Sequence, residues 1–158
     1  MTDIQLLDSL SHYYFQFGIF TSEGQKTVDV NILNTDDTTT KVSMKIADIM
    51  FFTENGTITI PGQHILDKSL LYINRLLTEE LSALVDKILT GNSSEGEIEN
   101  TLRRIALKVE NYIKNYMQSI IQKNNRLGSI INEDIDSNKY IYDLNELSKY
   151  IKCTLLKN

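Results

Sequence analysis

The stretch whose spacing comes nearest to a ligand site runs from Asp134 to Asn145. There Asp134, Asp136 and Asn138 stand at alternate positions, as oxygen donors do in the first half of a calcium-binding loop. Ile141 falls at the usual apolar position of such a loop. Lys139, however, stands where glycine permits the sharp turn, and Asn145 stands where a bidentate Glu closes the coordination sphere, with Glu146 one residue late. The three residues are therefore weak metal candidates, against the plainer reading of an acidic, solvated loop. The two histidines, His12 and His64, are not grouped with a nucleophile and a carboxylate. Cys153 is the single thiol, which excludes an intrachain disulfide and a cysteine-based metal cluster and reads as a small core hydrophobe. No catalytic constellation is legible, and neither enzymatic turnover nor a cofactor is expected.

Two further groups of residues invite a binding role. Tyr13, Tyr14, Phe15, Phe17 and Phe20 are aromatic enough for a base-stacking platform, but the nearest lysine is Lys26, so packing against helices is the expected use. Arg103, Arg104 and Lys108 share a helix face with Glu99 and Glu110, which reads as a salt-bridged surface. The net charge of -5 and a pI near 5.0 argue against a nucleic-acid-binding surface. No apolar run approaches the roughly 20 residues of a membrane span, and no secretory signal is visible at Met1 to Gln5. Synthesis in a reducing cytoplasm is expected, and the sequons at Asn55 and Asn92 are expected to be chance matches.

The elements that must hold these residues follow from periodicity. With 158 residues, 41% hydrophobic and 23% charged, the chain has the composition of one globular domain spanning 1–158. Asp3 to Leu10 is expected as a short amphipathic helix with Ile4, Leu7 and Leu10 on one side and Asp3 as its cap. Tyr13, Phe15, Phe17 and Ile19 alternate, as do Val28, Val30 and Ile32 after Ser22 to Gln25, which predicts a β-hairpin. Asn34 to Thr40 reads as a polar loop, and Val42, Ile46, Ile49 and Met50 recur at helical spacing up to a stop at Asn55 and Gly56. Thr57 to Ile60 is expected to run extended into Pro61.

Leu66, Leu70, Ile73, Leu77, Leu81, Leu84 and Ile88 then predict a long helix ending at Gly91. A capping box at Ser94 to Glu97 starts a second, with Ile98, Leu102, Ile105, Val109, Tyr112, Tyr116 and Ile120 as its stripe. Residues 122–138 are expected to form a mobile loop. A short helix at Asp143 to Leu147 and a strand through Ile151, Cys153 and Leu155 close the chain. The predicted class is α+β: a small antiparallel sheet, built from the N-terminal hairpin and the C-terminal strand, packed against a long antiparallel helical hairpin.

The order of motifs resembles the neck or tail-completion family of long-tailed bacteriophages, which includes virion-morphogenesis and minor-tail-protein-Z-like proteins. Phe15 to Ile19 resembles the family's early strand ending in Gly-Ile, and Val42 to Ile49 resembles its Ile-Ala helix. Glu54-Asn55-Gly56-Thr57 is similar to Glu-Phe-Gly-Thr, and Ile60 to Leu66 to Ile-Pro-Ala-Arg-Pro-Phe-Leu. Asp143 to Leu147 resembles in part the Asp-Thr-Gly-x-Leu turn before the last strand. Departures are Asn55 for Phe, Gln63 for Arg, Ile65 for Phe, and Leu144-Asn145 for Thr-Gly, and 25–40 reads as an insertion carrying an extra strand.

The resemblance implies a virion structural protein of the head-tail junction. It would assemble as a ring, expected to be a hexamer, between the portal or head-completion protein and the tail terminator or tail tube protein. DNA would pass only as non-specific cargo along an acidic channel wall, with no membrane involved. Neighbours in a ring meet through unlike patches. The interface residues implied are Phe51, Phe52, Glu54, Gly56, Thr57, Ile60, Pro61, Asp143 and Leu147. The alternative is a small calcium-responsive or other protein-binding module.

Overall fold

The computed structural model describes residues 2–33, 38–56, 62–131 and 143–158. Two helices dominate: α4 (Ile65–Leu89) and α5 (Glu95–Ile131). At 1.5 Å per residue they are about 37 and 55 Å long. They run antiparallel, since Tyr72 stacks on Tyr112, Glu80 pairs with Lys108, and Leu84 and Ile88 pack with Ile98 and Leu102. Gly91, at φ 70°, takes the left-handed turn between them, and the Ser94/Glu97 capping box starts α5 as expected.

The predicted stripe of α5 is displaced by one residue in its second half. Ile98, Leu102, Ile105 and Val109 are buried, but the line continues through Ile113 and Met117, while Tyr112 and Tyr116 flank it. Those two rings stack in series with Tyr72, at centroid distances of 3.8 and 6.4 Å. Each fully buried aliphatic contributes on the order of 1.5–3 kcal/mol, so the hairpin stripe is the main stabilising surface.

The class is α+β, with small antiparallel sheets packed on the helices. The pairing differs from the expected hairpin. β1 (Tyr13–Gly18) pairs with β4 (Lys152–Lys157), and β2 (Thr27–Leu33) pairs with β3 (Thr39–Lys45), giving two separate two-stranded sheets. Gly18 at φ 134° and the single turn of α2 (Thr21–Gly24) redirect the chain, which takes β2 off the edge of β1. Residues 39 and 40, expected in a loop, belong to β3, because threonine is favourable once a strand has a partner. Val42 is likewise a strand residue whose spacing to Ile46 only mimicked a helix, and α3 is Ile46–Asn55.

Two other expectations need correction. α1 (Asp3–Leu10) is capped by Thr2, through a reciprocal box with Gln5, and its buried residue is Leu6, whereas Ile4 is 78% exposed. The span 122–131, expected to be loop, continues α5 as helix. Gln122, Lys123, Arg126 and Leu127 are good helix formers, no proline interrupts the span, and Gly128 costs only about 1 kcal/mol. The remainder of that expected loop, 132–138, lies outside the described residues. α6 (Leu144–Ser148) and β4 agree with prediction.

Candidate docking site

The C-terminal end of α3 and the N-terminal end of α4 are tied by one side chain. Glu54 Oε2 accepts from the Ile65 N–H at 2.6 Å, and Oε1 accepts from Leu66 and Asp67 at 2.9 and 3.2 Å. These are first-turn amides without an intrahelical acceptor, at the positive end of the α4 dipole, so a carboxylate is the favoured occupant. The main chains are laced together as well: Gln63 N–H donates to Thr53 O at 2.8 Å and His64 N–H to Glu54 O at 3.1 Å.

Local sequence permits this approach at two points. A Cβ on Gly62 would lie 2.4 Å from Glu54 O and 2.6 Å from Asn55 C, so only glycine fits there. Gly56 ends α3 at φ 84°, the stop expected from Asn55-Gly56. His64 itself takes a left-handed conformation, φ 51° and ψ 45°, to turn the chain into α4. It serves as a backbone hinge at the helix start, while His12 lies exposed just before β1.

Around this clamp large apolar side chains meet solvent. Phe51 is 60% exposed and packs edge-on against the half-buried Phe52 at 5.8 Å. Leu70, Leu71 and Tyr72, within two turns of the α4 start, are 41, 82 and 45% exposed. Four of the nine large exposed hydrophobics among the described residues therefore stand on the two helices that the clamp joins. Exposed apolar side chains on helices held this rigidly make these two elements the candidate contact surface.

Of the residues read from sequence as interface, Phe51, Phe52, Glu54 and Gly56 come together here. Thr57, Ile60 and Pro61 lie outside the described residues, as do the metal candidates Asp134, Asp136 and Asn138. Asp143 is elsewhere, exposed, and caps α6 by accepting from Asn145 N–H at 2.8 Å. Leu147 is fully buried with Leu144 and Ile151 in the main core, so it packs rather than docks. Among the described residues no group of three or more His, Cys, Asp or Glu is placed to hold a metal ion.

A second polar site went unread in the sequence. Glu110, expected beside the basic face of α5, is instead a buried carboxylate that accepts from Lys114 at 2.6 Å and from the Cys153 backbone N–H at 3.0 Å, with Lys152 3.9 Å away. Burial alone pushes its carboxyl up, but the hydrogen bonds from Lys114 and Cys153 and the two lysine charges outweigh that and hold it below its usual range. The Cys153 thiol is pushed up to about 11 by burial and by the Glu110 charge, which suits a core hydrophobe. The basic face is paired as expected where Arg103 binds Glu99, while Lys108 reaches across to Glu80.

No described helix is long and apolar enough to cross a membrane. No family model, no curated protein and no solved structure matches this chain.

Proposed function

We propose that this chain is a ring-forming structural component of a bacteriophage head-tail junction, acting by interface burial and without turnover. The reading rests on the family resemblance of its ordered motifs. The structural observation that supports it is the exposure of Phe51, Leu70, Leu71 and Tyr72 on the two helices that the Glu54 clamp joins. A docking surface needs aromatic anchors held rigidly before the partner arrives, because side chains already ordered lose less entropy on binding. Phe51 stands on a helix whose end is fixed by three charge-assisted hydrogen bonds. Its partners are neighbouring copies and, at the ring's two faces, a portal or head-completion protein and a tail terminator or tail tube protein.

Native mass spectrometry of the purified chain, with and without calcium, tests this. A closed ring with no bound metal is the expected result. A monomer that gains one calcium ion would replace this reading with the calcium-responsive module. A chain that is absent from assembled particles would overturn it outright.

A further inference from the structure

β4 has an outer edge that no described strand pairs with. Its hydrogen-bonding parity is fixed at both ends. Asn158 N–H donates to His12 O at 2.8 Å, one step beyond the Tyr13↔Lys157 pair, so Lys152, Thr154 and Leu156 bond to β1. Cys153, Leu155 and Lys157 therefore turn their main-chain groups outward. The Cys153 N–H agrees, since it meets Glu110 on that side. Here a carboxylate oxygen fills the place of the next strand's carbonyl, and it fills only that one.

Beside the rest of this edge runs a groove of about 280 Å³, lined by Cys153, Thr154 and Leu155 of the strand and by Arg103, Ala106 and Leu107 of α5. Leu107 is 58% exposed. A strand added about 4.8 Å beyond β4 would lie over it. Native sheet edges that stay unpaired are normally blocked by a bulge, a proline or a row of charges. Here Glu110 occupies the Cys153 position and lysines stand at the two ends, which leaves the stretch around Leu155 without a proline or a charge.

The charges select the strand that fits. The same parity rule applies to β2 and β3, where Ile46 N–H donates to Lys26 O at 2.9 Å beside the Thr27↔Lys45 pair. Thr27, Asp29 and Asn31 of β2, and Lys41, Ser43 and Lys45 of β3, accordingly face away from one another's strand. β4 carries lysines at both ends, each about half exposed: Lys157 pairs with Glu95 at 3.1 Å, and Lys152, 3.9 Å from Glu110, shares that carboxylate with Lys114. β3 would bring Lys41 and Lys45 against them. β2 brings Asp29, whose carboxylate is about half exposed and already holds Lys41 at 2.9 Å.

We infer that the outer edge of β4 receives the outer edge of β2 from a second copy of this chain, over Leu107, so that a four-stranded sheet crosses the boundary between copies. The inference rests on the self-assembly proposed above and names its surface. Each copy would give a strand edge on one side and receive one on the other, which is the unlike pairing a ring requires. Main-chain hydrogen bonds supply affinity, and the Lys152 and Asp29 charges supply orientation.

Amide hydrogen exchange on the full chain, read residue by residue at concentrations below and above assembly in analytical ultracentrifugation, tests this. In the dispersed chain Lys152, Thr154 and Leu156 should be protected, and Leu155 and Lys157 open. On assembly the Leu155 and Lys157 amides, with Thr27, Asp29 and Asn31, should slow by about tenfold or more. Leu107→Glu and Asp29→Lys alter exposed side chains, and each should weaken assembly about tenfold with unchanged circular dichroism. If the chain assembles while the Leu155 amide stays open, or if Leu107→Glu assembles as well as the parent, the strand pairing is wrong and the ring reading stands. If no assembly forms at any concentration, both fall.

Discussion

Replacing Glu54 by Ala removes the acceptor of three α4 amides without touching the hydrophobic core. Loss of a side-chain helix cap costs about 1–2 kcal/mol, and loss of a negative charge from a helix N-terminus a further 0.3–1 kcal/mol. Glu54 is half-buried, so solvent re-enters and satisfies part of what is lost, and about 2 kcal/mol is expected. For a chain of this size that lowers Tm by roughly 4–8 °C. Glu54→Gln keeps one acceptor and should recover part of the loss, because Oε1 alone serves the Leu66 and Asp67 amides. Thermal and urea unfolding followed by circular dichroism give the total. Hydrogen exchange gives the location: the amides of Ile65, Leu66 and Asp67 should exchange faster, while those of Ile105 and Val109 follow only global stability. A loss below about 0.5 kcal/mol for Glu54→Ala would show that water serves those amides equally well, and would refute the clamp.

The carboxyl of Glu110 is held low in the folded chain, so it contributes stability that is fully present above its unfolded value near 4.5 and is lost as pH falls through its lower folded value. Stability of the parent should therefore fall more steeply below about pH 4.5 than that of Glu110→Gln, as measured by urea unfolding from pH 6 to 3. Equal slopes would refute that assignment. Cys153, with its thiol pushed up to about 11 and its side chain in the core, should resist maleimide at pH 7.5 in the native chain and react readily in urea. Fast native labelling would mean that β4 detaches from α5.

What could be read in the sequence was local. The α4 stripe from Ile73 onward, the first half of the α5 stripe, the capping box at Ser94 and the stops at Gly56 and Gly91 were legible, because each is set by residues within one or two helical turns, whereas Leu70, expected in the α4 stripe, is exposed and Ile65 and Ser69 are buried instead. Strand pairing was not. Tyr13 to Gly18 alternates equally well whether its partner is β2 or β4, and nothing within the strand records that β4 lies at the other end of the chain. The polar run after Ile120 was misread because charge and amide content mark solvent exposure rather than loss of helix.

The candidate site was half legible for the same reason. Phe51, Phe52 and Glu54 stand out as a group, yet the acceptor role of Glu54 depends on donors eleven to thirteen residues away, beyond any capping spacing. Gly62 is required by a main-chain approach that no sequence pattern announces. Glu110 reads as one more charge on an exposed helix face until β4 is laid across it.

The two surfaces proposed for assembly differ in kind, and that difference has a consequence for how partners are told apart. The corner at Phe51 and Leu71 offers apolar area, which is non-directional and tolerates any complementary shape. The β4 edge offers alternating main-chain donors and acceptors, which accept only an extended strand in one of two registers of parity. A one-residue slip on β4 would set Leu155 against groups pointing away from it, so register at this edge is all or nothing. Glu110 sharpens this further by occupying Cys153 and leaving only the Leu155 and Lys157 positions free to donate. In such a division the sheet edge fixes which copy sits beside which and in what orientation. The apolar corner is then left for a partner of different chemistry above or below the ring. Phe51→Asp and Leu107→Glu should accordingly be separable: Leu107→Glu blocks ring closure, whereas Phe51→Asp leaves the ring intact and abolishes its capture of a face partner. A ring abolished equally by both changes at every concentration would place both surfaces between neighbouring copies.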